Sequence, residues 1–318
     1  MRVSVQRERV RFDSGGAHCA AWHYPGRGPG RNGACVVMAG GFAVPKEPGT
    51  DRFARRFQEA GFDVLAFDFR GLGESGPGER ADGDTGCPVL TPRGQVADWR
   101  AALAYARTLP GVNPARLALW SFSATGGQLL EVAAVEPGVA AVVAQSPGFG
   151  GRAASMNAAR YQQPWAMARV MARGLADEVG SWFGRPPRPV RLAGRRGEVV
   201  VLTTPDGGVR PSPLDPDGRY PAWHQEVAAR SALRLVTYSP GRHAGRVRCP
   251  VLFVVCDGDR SAPPGEAIKA AARTPRAEVV HLPGGHYAPF QDAHEQAVEA
   301  ELAFLRRHVG AAVSPARP

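Results

Sequence analysis

Ser123 occupies a position in the sequence that is typical of a nucleophilic serine. Ser123 lies in a short turn between the apolar run 117–120 and a helix-like run. A strand–turn–helix of this kind presents a hydroxyl at the end of a sheet, and the usual sequence around the serine is G-x-S-x-G. Here Ser121 and Thr125 occupy the two glycine positions, so the motif is degenerate and a Cβ at either position crowds the turn. A helix N-cap is the alternative role for such a serine.

A base and an acid follow the serine, each after a strand-like run. His286 comes after the run 277–282, and Asp257 and Asp259 come after the apolar run 249–256. A serine hydroxyl is a weak nucleophile until a base takes its proton, and a carboxylate holds a histidine base in the right tautomer. Because open parallel sheets gather their sites at the carboxyl ends of the strands, we expect these side chains to meet.

Apolar runs alternate with helix-like runs along most of the chain, which favours a mostly parallel sheet with helices on both faces. This alternation is interrupted at about residues 150–246 by a proline- and aromatic-rich segment. After that segment, strand-like and helix-like runs alternate again. We therefore expect an α/β core, residues 1–149 and 247–318, with a helical cap or lid inserted at 150–246. Strands are predicted at 3–12, 18–24, 34–39, 64–67, 117–120, 139–144, 249–256 and 277–282. Helices are predicted at 51–60, 91–109, 128–135, 159–175, 221–235, 264–273 and 290–308.

Composition limits the classes of function. The 318 residues carry a net charge of +10, nearly all of it from arginine. Because the densest arginine cluster, 185–196, is interrupted by three prolines and lacks interleaved aromatics, we expect arginines spread over the surface and no nucleic-acid site. The five cysteines show no C-x-x-C spacing, and no run reaches the ~18 apolar residues of a membrane span. We expect a soluble, cytoplasmic protein with no membrane partner.

From about residue 18 to residue 309 the chain resembles the α/β-hydrolase superfamily. The segment around Leu119–Gly127 is similar to the W-G-x-S-x-x-G-G elbow of its dienelactone-hydrolase-like and polyketide-transferase-like members. Gly40 departs from the family pattern, which usually has histidine there. The other matches are Gly40-Gly41-Phe42 to the oxyanion loop, Asp68–Ser75 to the D-x-R-G-x-G-x-S loop, Cys249–Pro263 to the acid segment, and Gly285-His286 to the G-H pair.

The resemblance implies the α/β-hydrolase fold and a catalytic triad of Ser123, His286 and Asp259. Asp259 is favoured over Asp257 because the family's D…P spacing falls on Asp259 and Pro263. It also implies an oxyanion hole formed by the backbone N–H groups of Phe42 and Ala124, which would stabilise the charge that develops on the acyl oxygen.

Several neighbouring polar residues have simpler roles. His281 and His243 are rival bases, but His281 lies within a strand and His243 near the end of the insertion, so we expect both to be structural. Asp68 and Arg70 are expected to fix a loop. The aromatics of the insertion are equally consistent with a lid core and with an acyl pocket.

These residues predict a serine hydrolase, carboxylesterase- or thioesterase-like, that cleaves an ester, thioester or similar acyl bond through an acyl-Ser123 intermediate. We expect a small-molecule acyl substrate and neither a metal nor an organic cofactor; a homodimer is left open. Two alternatives remain. An acyltransferase would use the same acyl-enzyme, and a catalytically poor ligand-binding protein would use the same fold.

Overall fold

A central sheet forms the frame of the molecule. The structure is a computed structural model, and it describes residues 6–28, 31–76, 87–207 and 211–310. Within these residues the sheet has eight strands: β1 Glu8–Ser14, β2 Ala17–Tyr24, β3 Cys35–Ala39, β4 Asp63–Phe67, β5 Leu117–Phe122, β6 Val139–Gln145, β10 Val251–Cys256 and β11 Ala277–Leu282. Their order in the sheet is β1-β2-β4-β3-β5-β6-β10-β11. Strands β1 and β2 pair antiparallel at one edge, β2 is antiparallel to β4, and the remaining pairs are parallel.

Helices cover both faces of the sheet, as continuous apolar strands require. In strand β3, Val37 packs into one apolar cluster together with Trp99, whereas Val36 packs into a second cluster together with Phe53. The helices are α1 Lys46–Glu59, α2 Pro92–Ala106, α3 Ser123–Val135, α4 Gly151–Tyr161, α5 Pro164–Trp182, α6 Ala229–Thr237, α7 Pro264–Arg273 and α8 His294–Leu305. The predicted α/β-hydrolase fold, a mostly parallel sheet flanked by helices, is therefore confirmed.

The segment between β6 and β10, which we call the insertion (residues 150–246), differs from its predicted secondary structure. The helix predicted at 159–175 is two helices, α4 and α5, separated at residues 162–163. Pro164 explains the break, because proline begins a helix readily and disrupts one from within. The helix predicted at 221–235 is instead strand β9, Glu226–Ala228, followed by α6. Strand β9 joins β7, Pro189–Ala193, and β8, Val200–Leu202, in a small sheet that the sequence analysis did not predict.

The predicted bounds of the core elements also shift. Helix α1 begins at Lys46, five residues before its predicted start, and α3 begins at Ser123 itself. Helix α8 begins at His294, because residues 288–290 form a separate 3-10 turn. Residues 3–5 of the first predicted strand lie outside the described part of the chain. None of the helices in the described ranges is both long and apolar enough to cross a membrane.

Candidate active site

Ser123 occupies a strained turn between β5 and α3. Its φ is +60°, in the left-handed region that non-glycine residues rarely adopt, and its side chain does not cap the helix. Gly127 on α3 lets the loop after β6 approach this turn. A Cβ on Gly127 would overlap the carbonyl oxygen of Gly148, whose N–H donates to the Ser123 carbonyl at 2.9 Å. The turn therefore holds the hydroxyl away from the helix and free for another partner.

That partner is His286, which follows β11. The distance from Ser123 Oγ to His286 Nε2 is 2.9 Å, and His286 Nδ1 lies 2.7 Å from Asp259 Oδ2. The two distances fit the tautomer in which Nδ1–H donates to the carboxylate and Nε2 accepts from the hydroxyl. His286 and Asp259 are buried. The three side chains that the sequence analysis selected thus lie in one hydrogen-bonded row.

The turn after β10 separates the two candidate acids. Asp259 Oδ1 accepts from the N–H groups of Ser261 and Ala262, at 2.8 and 2.7 Å, so the carboxylate is fixed while its other oxygen faces His286. Asp257 is exposed and lies 2.7 Å from Nδ1 of His281, the rival base. Asp257 and His281 therefore pair with each other and not with Ser123.

The loop after β3 forms the other side of the site. Phe42 and Ala124, whose N–H groups are predicted to form the oxyanion hole, line the same cavity as Ser123 and His286. Ala43 has a φ of +55°, and its carbonyl accepts from Trp223 Nε1 of the insertion at 2.9 Å. A residue of the insertion thus helps to hold this loop.

Ser121 and Thr125, which replace the usual glycines of the elbow, also bind this loop. The Ser121 hydroxyl donates to the Ala39 carbonyl at 2.9 Å, and the Thr125 hydroxyl donates to the Gly40 carbonyl at 2.8 Å. Both side chains are buried. The two hydroxyls therefore fasten the nucleophile turn to the end of β3. Gly40 itself has no room for a side chain, because a Cβ there would overlap the carbonyl oxygen of Val44.

A buried ion pair positions the start of α1 just beyond that loop. Lys46 Nζ lies 2.7 Å from Asp68 Oδ2 and 2.7 Å from Glu74 Oε2, and the Lys46 N–H donates to Asp68 Oδ1 at 2.7 Å. Arg70 likewise binds Asp98, with 2.8 Å between Arg70 Nε and Asp98 Oδ1. Asp68 and Arg70 hold loops together in the structure.

Asp206, a residue of the insertion, also belongs to the site and was not predicted from the sequence. Its carboxylate accepts from the N–H groups of His286 and Arg260, at 3.1 and 2.8 Å, and from the Ser261 hydroxyl at 3.0 Å. Asp206 therefore ties the loop of the histidine to the loop of the acid. Its local sequence, Thr-Pro-Asp-Gly at 204–207, is typical of a turn and gives no signal of this role.

The electrostatics of the site favour a charged imidazole. Burial alone would lower the pKa of His286, but the charge and hydrogen bond of Asp259, with the charge of Asp206, raise it above its ordinary value. Burial would likewise raise the pKa of Asp206, yet the N–H donors of Arg260 and His286 lower it. Two carboxylates thus stabilise the imidazolium that forms when His286 takes a proton.

A cavity of about 530 Å³ opens beside Ser123 and runs between the core and the insertion. Most of its lining on the insertion side is apolar: Met167, Val170, Met171, Leu192, Val201, Leu202, Leu233 and Val236. A pocket of this size and polarity suits an apolar group of a small molecule. Within the described ranges, no group of three or more His, Cys, Asp or Glu side chains is arranged to hold a metal ion.

Residues 38–293 match the family described as alpha/beta hydrolase fold, and the chain belongs to that family. It is also 34% identical, over 94% of its own length and 94% of the relative's, to the "Quorum-quenching protein AidA" of Acinetobacter baumannii. The family assignment confirms the resemblance that the sequence motifs carry.

Fungal relatives include both hydrolases and transferases. The chain is 26% identical to "Polyketide transferase ATR5" of Stachybotrys chlorohalonatus, over 95% of this chain and 98% of the relative. It is 26% identical to a "Thiohydrolase" of Eupenicillium brefeldianum, over 62% of this chain and 58% of the relative. Among solved structures, DcsB in complex with its substrate analogue superposes with a TM-score of 0.77 at 21% identity, over 96% of this chain and all of that one. These matches support an enzyme of the hydrolase-fold family.

Proposed function

We propose that this protein is a serine hydrolase that cleaves an ester, thioester or similar acyl bond with Ser123, His286 and Asp259 as its catalytic triad. The observation that carries the proposal is the row of two short hydrogen bonds from Asp259 through His286 to Ser123. The row ends at a strained serine on the wall of a largely apolar cavity.

Acylation begins when Ser123 Oγ attacks the acyl carbon while His286 Nε2 takes the hydroxyl proton. Negative charge then moves to the acyl oxygen, where the N–H groups of Phe42 and Ala124 stabilise it. His286 gives the proton to the departing oxygen or sulfur, and the acyl group stays on Ser123. Asp259 remains ionised and stabilises the imidazolium throughout.

Deacylation repeats these steps with water as the nucleophile. His286 takes a proton from the water, whose oxygen attacks the acyl carbon. The bond to Ser123 Oγ then breaks and the serine recovers its proton. One water is consumed, and a carboxylic acid is released with the alcohol or thiol of the first step.

Labelling with a fluorophosphonate probe tests the nucleophile directly. The probe phosphonylates an activated serine, and peptide mass mapping should locate the label on Ser123. Ser123→Ala should lose the label and hydrolysis of p-nitrophenyl esters together while keeping the wild-type melting temperature. Ser121→Ala is the matched control, because Ser121 is the other serine of the turn but faces the Ala39 carbonyl; it should still be labelled. A folded wild-type protein that never takes the probe would refute the proposal.

Acyl transfer is the second candidate, and the 26% identity to a polyketide transferase over almost the full length of both chains favours it. The acyl-Ser123 step would be the same, with an alcohol or amine in place of water. The apolar lining of the cavity supports this alternative, because it disfavours water near the acyl-enzyme. Hydrolysis of a p-nitrophenyl ester with and without an amine acceptor distinguishes the two: a transferase forms the amide product in preference to the free acid.

A further inference from the structure

The solvent-exposed face of helix α5 carries several large apolar side chains. Trp165, Leu175, Val179, Trp182 and the following Phe183 are 51, 55, 45, 72 and 75% exposed. We call these five residues the apolar ridge. The other exposed positions from 165 to 182 are alanine (168, 172 and 176) or arginine (169 and 173). The outer face of a surface helix is normally polar, and large exposed apolar patches mark interaction sites.

Arginines surround the ridge. Residues 151–198 contain nine arginines against three carboxylates, a net charge of +6 within a chain of net charge +10. All three carboxylates have partners. Asp177 is buried and accepts from the Arg188 N–H at 2.8 Å, and Glu178 and Glu198 bind other arginines. Residues 151–198 therefore carry more than half of the net positive charge of the chain.

The arginines lie at both ends of the ridge. Arg195 and Arg196 are in the turn before Gly197, whose N–H donates to Gln162 at 2.8 Å and which lies against the ring of Trp165. At the other end, shortly after Phe183 in the chain, a surface recess is lined by Arg173, Arg185, Pro186, Pro187, Arg188 and Pro189. Guanidinium groups of this kind can bind a phosphate.

We propose that the apolar ridge and its flanking arginines dock the protein onto an anionic lipid surface. Trp, Phe and Leu side chains on one face of a helix enter the boundary between headgroups and acyl chains, while arginines bind lipid phosphates. From Trp165 to Phe183 the ridge spans about 27 Å, at the helical rise of about 1.5 Å per residue. It is a protruding stripe and not a groove for a peptide. Docking a second copy through this face would place two surfaces of charge +6 against each other, which charge repulsion opposes. This proposal is an alternative to the prediction from the sequence that the protein has no membrane partner.

The same helix lines the cavity. Met167, Val170 and Met171 lie on the inner face of α5 and contact the space beside Ser123. Because a helix is about 10–12 Å thick with its side chains, docking by the outer face holds the cavity within about one helix diameter of the lipid. Under the proposed function, an acyl substrate dissolved in the bilayer would then have a short path to Ser123.

Cosedimentation with vesicles tests docking without reference to activity. The full-length protein is mixed with vesicles of phosphatidylcholine alone or of phosphatidylcholine with 30% phosphatidylglycerol, at low and high salt. We expect binding to the mixed vesicles and a loss of binding in high salt. Arg185→Glu with Arg188→Glu should weaken binding at least about 25-fold, since each basic side chain near an anionic surface contributes about fivefold. Trp182→Ser with Phe183→Ser should weaken it at least about tenfold.

Matched controls lie on the core. Arg93→Glu with Arg276→Glu makes the same change in net charge at exposed positions of the core, and Ile268→Ser replaces another exposed apolar residue. Both should bind the mixed vesicles within about twofold of wild type. The proposal is overturned if wild type does not bind the mixed vesicles at low salt, or if the control and ridge variants weaken binding equally. A self-associating wild-type protein whose dimer is lost in Trp182→Ser would instead assign the ridge to a second copy. Since no arm measures turnover, these results are independent of the proposed reaction.

Discussion

The two walls of the cavity are built in opposite ways. The core wall carries the polar groups of the candidate site at the ends of β3, β5, β10 and β11, and these groups are fixed by hydrogen bonds to neighbouring loops. The insertion wall consists mainly of apolar side chains from α5, α6 and the small sheet, such as Met171 and Leu233. A directional hydrogen bond fails when an atom moves by a fraction of an ångström, whereas apolar contact depends mostly on volume. The core wall is therefore suited to chemistry and the insertion wall to the choice of substrate.

Residues of the insertion also bind loops of the core wall. Asp206 and Trp223 belong to the insertion, yet Asp206 binds the His286 and Arg260 N–H groups and Trp223 binds the Ala43 carbonyl. The insertion thus holds two loops of the core wall in place. Substitutions at these positions should behave like changes to the core, although the residues lie in the insertion.

Removing the base should have the largest effect. We expect His286→Ala to lower kcat for a p-nitrophenyl ester at least about 10⁴-fold, because neither Ser123 nor water then has a proton acceptor. The measurement is steady-state hydrolysis, with circular dichroism to show that the fold persists. His281→Ala is the control and should keep wild-type turnover, since His281 pairs with Asp257. Wild-type turnover in His286→Ala would show that another residue is the base.

Asp206→Asn should have the second-largest effect, a loss in kcat/KM of about 30-fold. The loss is smaller than that of a triad member because Asp206 acts by positioning His286. The variant keeps the size of the side chain but removes a charge that raises the pKa of His286. The imidazolium is then less stable, the pKa of His286 falls, and the neutral base persists to lower pH. The acidic limb of the profile of kcat/KM against pH should therefore move to lower pH.

This shift of the profile is the critical readout for Asp206. A variant that only loosens the fold would lower the melting temperature and leave the limb in place. Asp257→Asn removes a carboxylate that pairs with His281 in the exposed part of the same turn, and it should leave the limb unchanged. A limb that moves to higher pH in Asp206→Asn would contradict the assignment.

Thr125→Val tests whether the hydroxyls of the elbow hold the oxyanion loop. Valine keeps the shape but cannot donate to the Gly40 carbonyl, so the Phe42 N–H should be less well placed. Loss of a whole oxyanion donor costs 10²–10³ in kcat, and we expect about a tenfold loss from this displacement. KM should change little, and affinity for a boronate that mimics the tetrahedral intermediate should fall in parallel with kcat. Thr125→Ser keeps the hydroxyl and should have wild-type kcat and wild-type affinity for the boronate. If Thr125→Val loses stability but keeps its kcat, the hydroxyl has only a structural role.

The sequence predicted the core wall well because its signals are local. Each candidate residue of the row follows an apolar run, so the position of Ser123, Asp259 and His286 at the end of the sheet could be inferred from neighbours in the chain. The fold could be predicted for the same reason. Their roles in catalysis stay predictions until the variants are measured.

Contacts distant in sequence account for what was missed. Asp206 is 80 residues from His286, and its surroundings indicate only a turn. From the sequence, Ser121 and Thr125 were only departures from the usual glycines of the motif, because the carbonyls that they bind, those of Ala39 and Gly40, are more than 80 residues away. In the insertion, α4 and α5 were taken for one helix. Periodicity is weak where a helix is apolar on both sides, as α5 is, so it marks the ends of such a helix poorly.

Among these variants, Met171→Ala should have the smallest effect on kcat/KM, and its effect should depend most on the length of the acyl chain. Met171 lines the insertion wall, so its removal should lower kcat/KM about fivefold for long-chain p-nitrophenyl esters, whose acyl groups lose apolar contact. Short esters that do not reach it should be unaffected, and the pH profile should not move. Met156→Ala is the matched control, because Met156 is 55% exposed on α4. An equal loss for short and long esters would mean that the insertion wall acts on the chemistry, and the division between the two walls would fail.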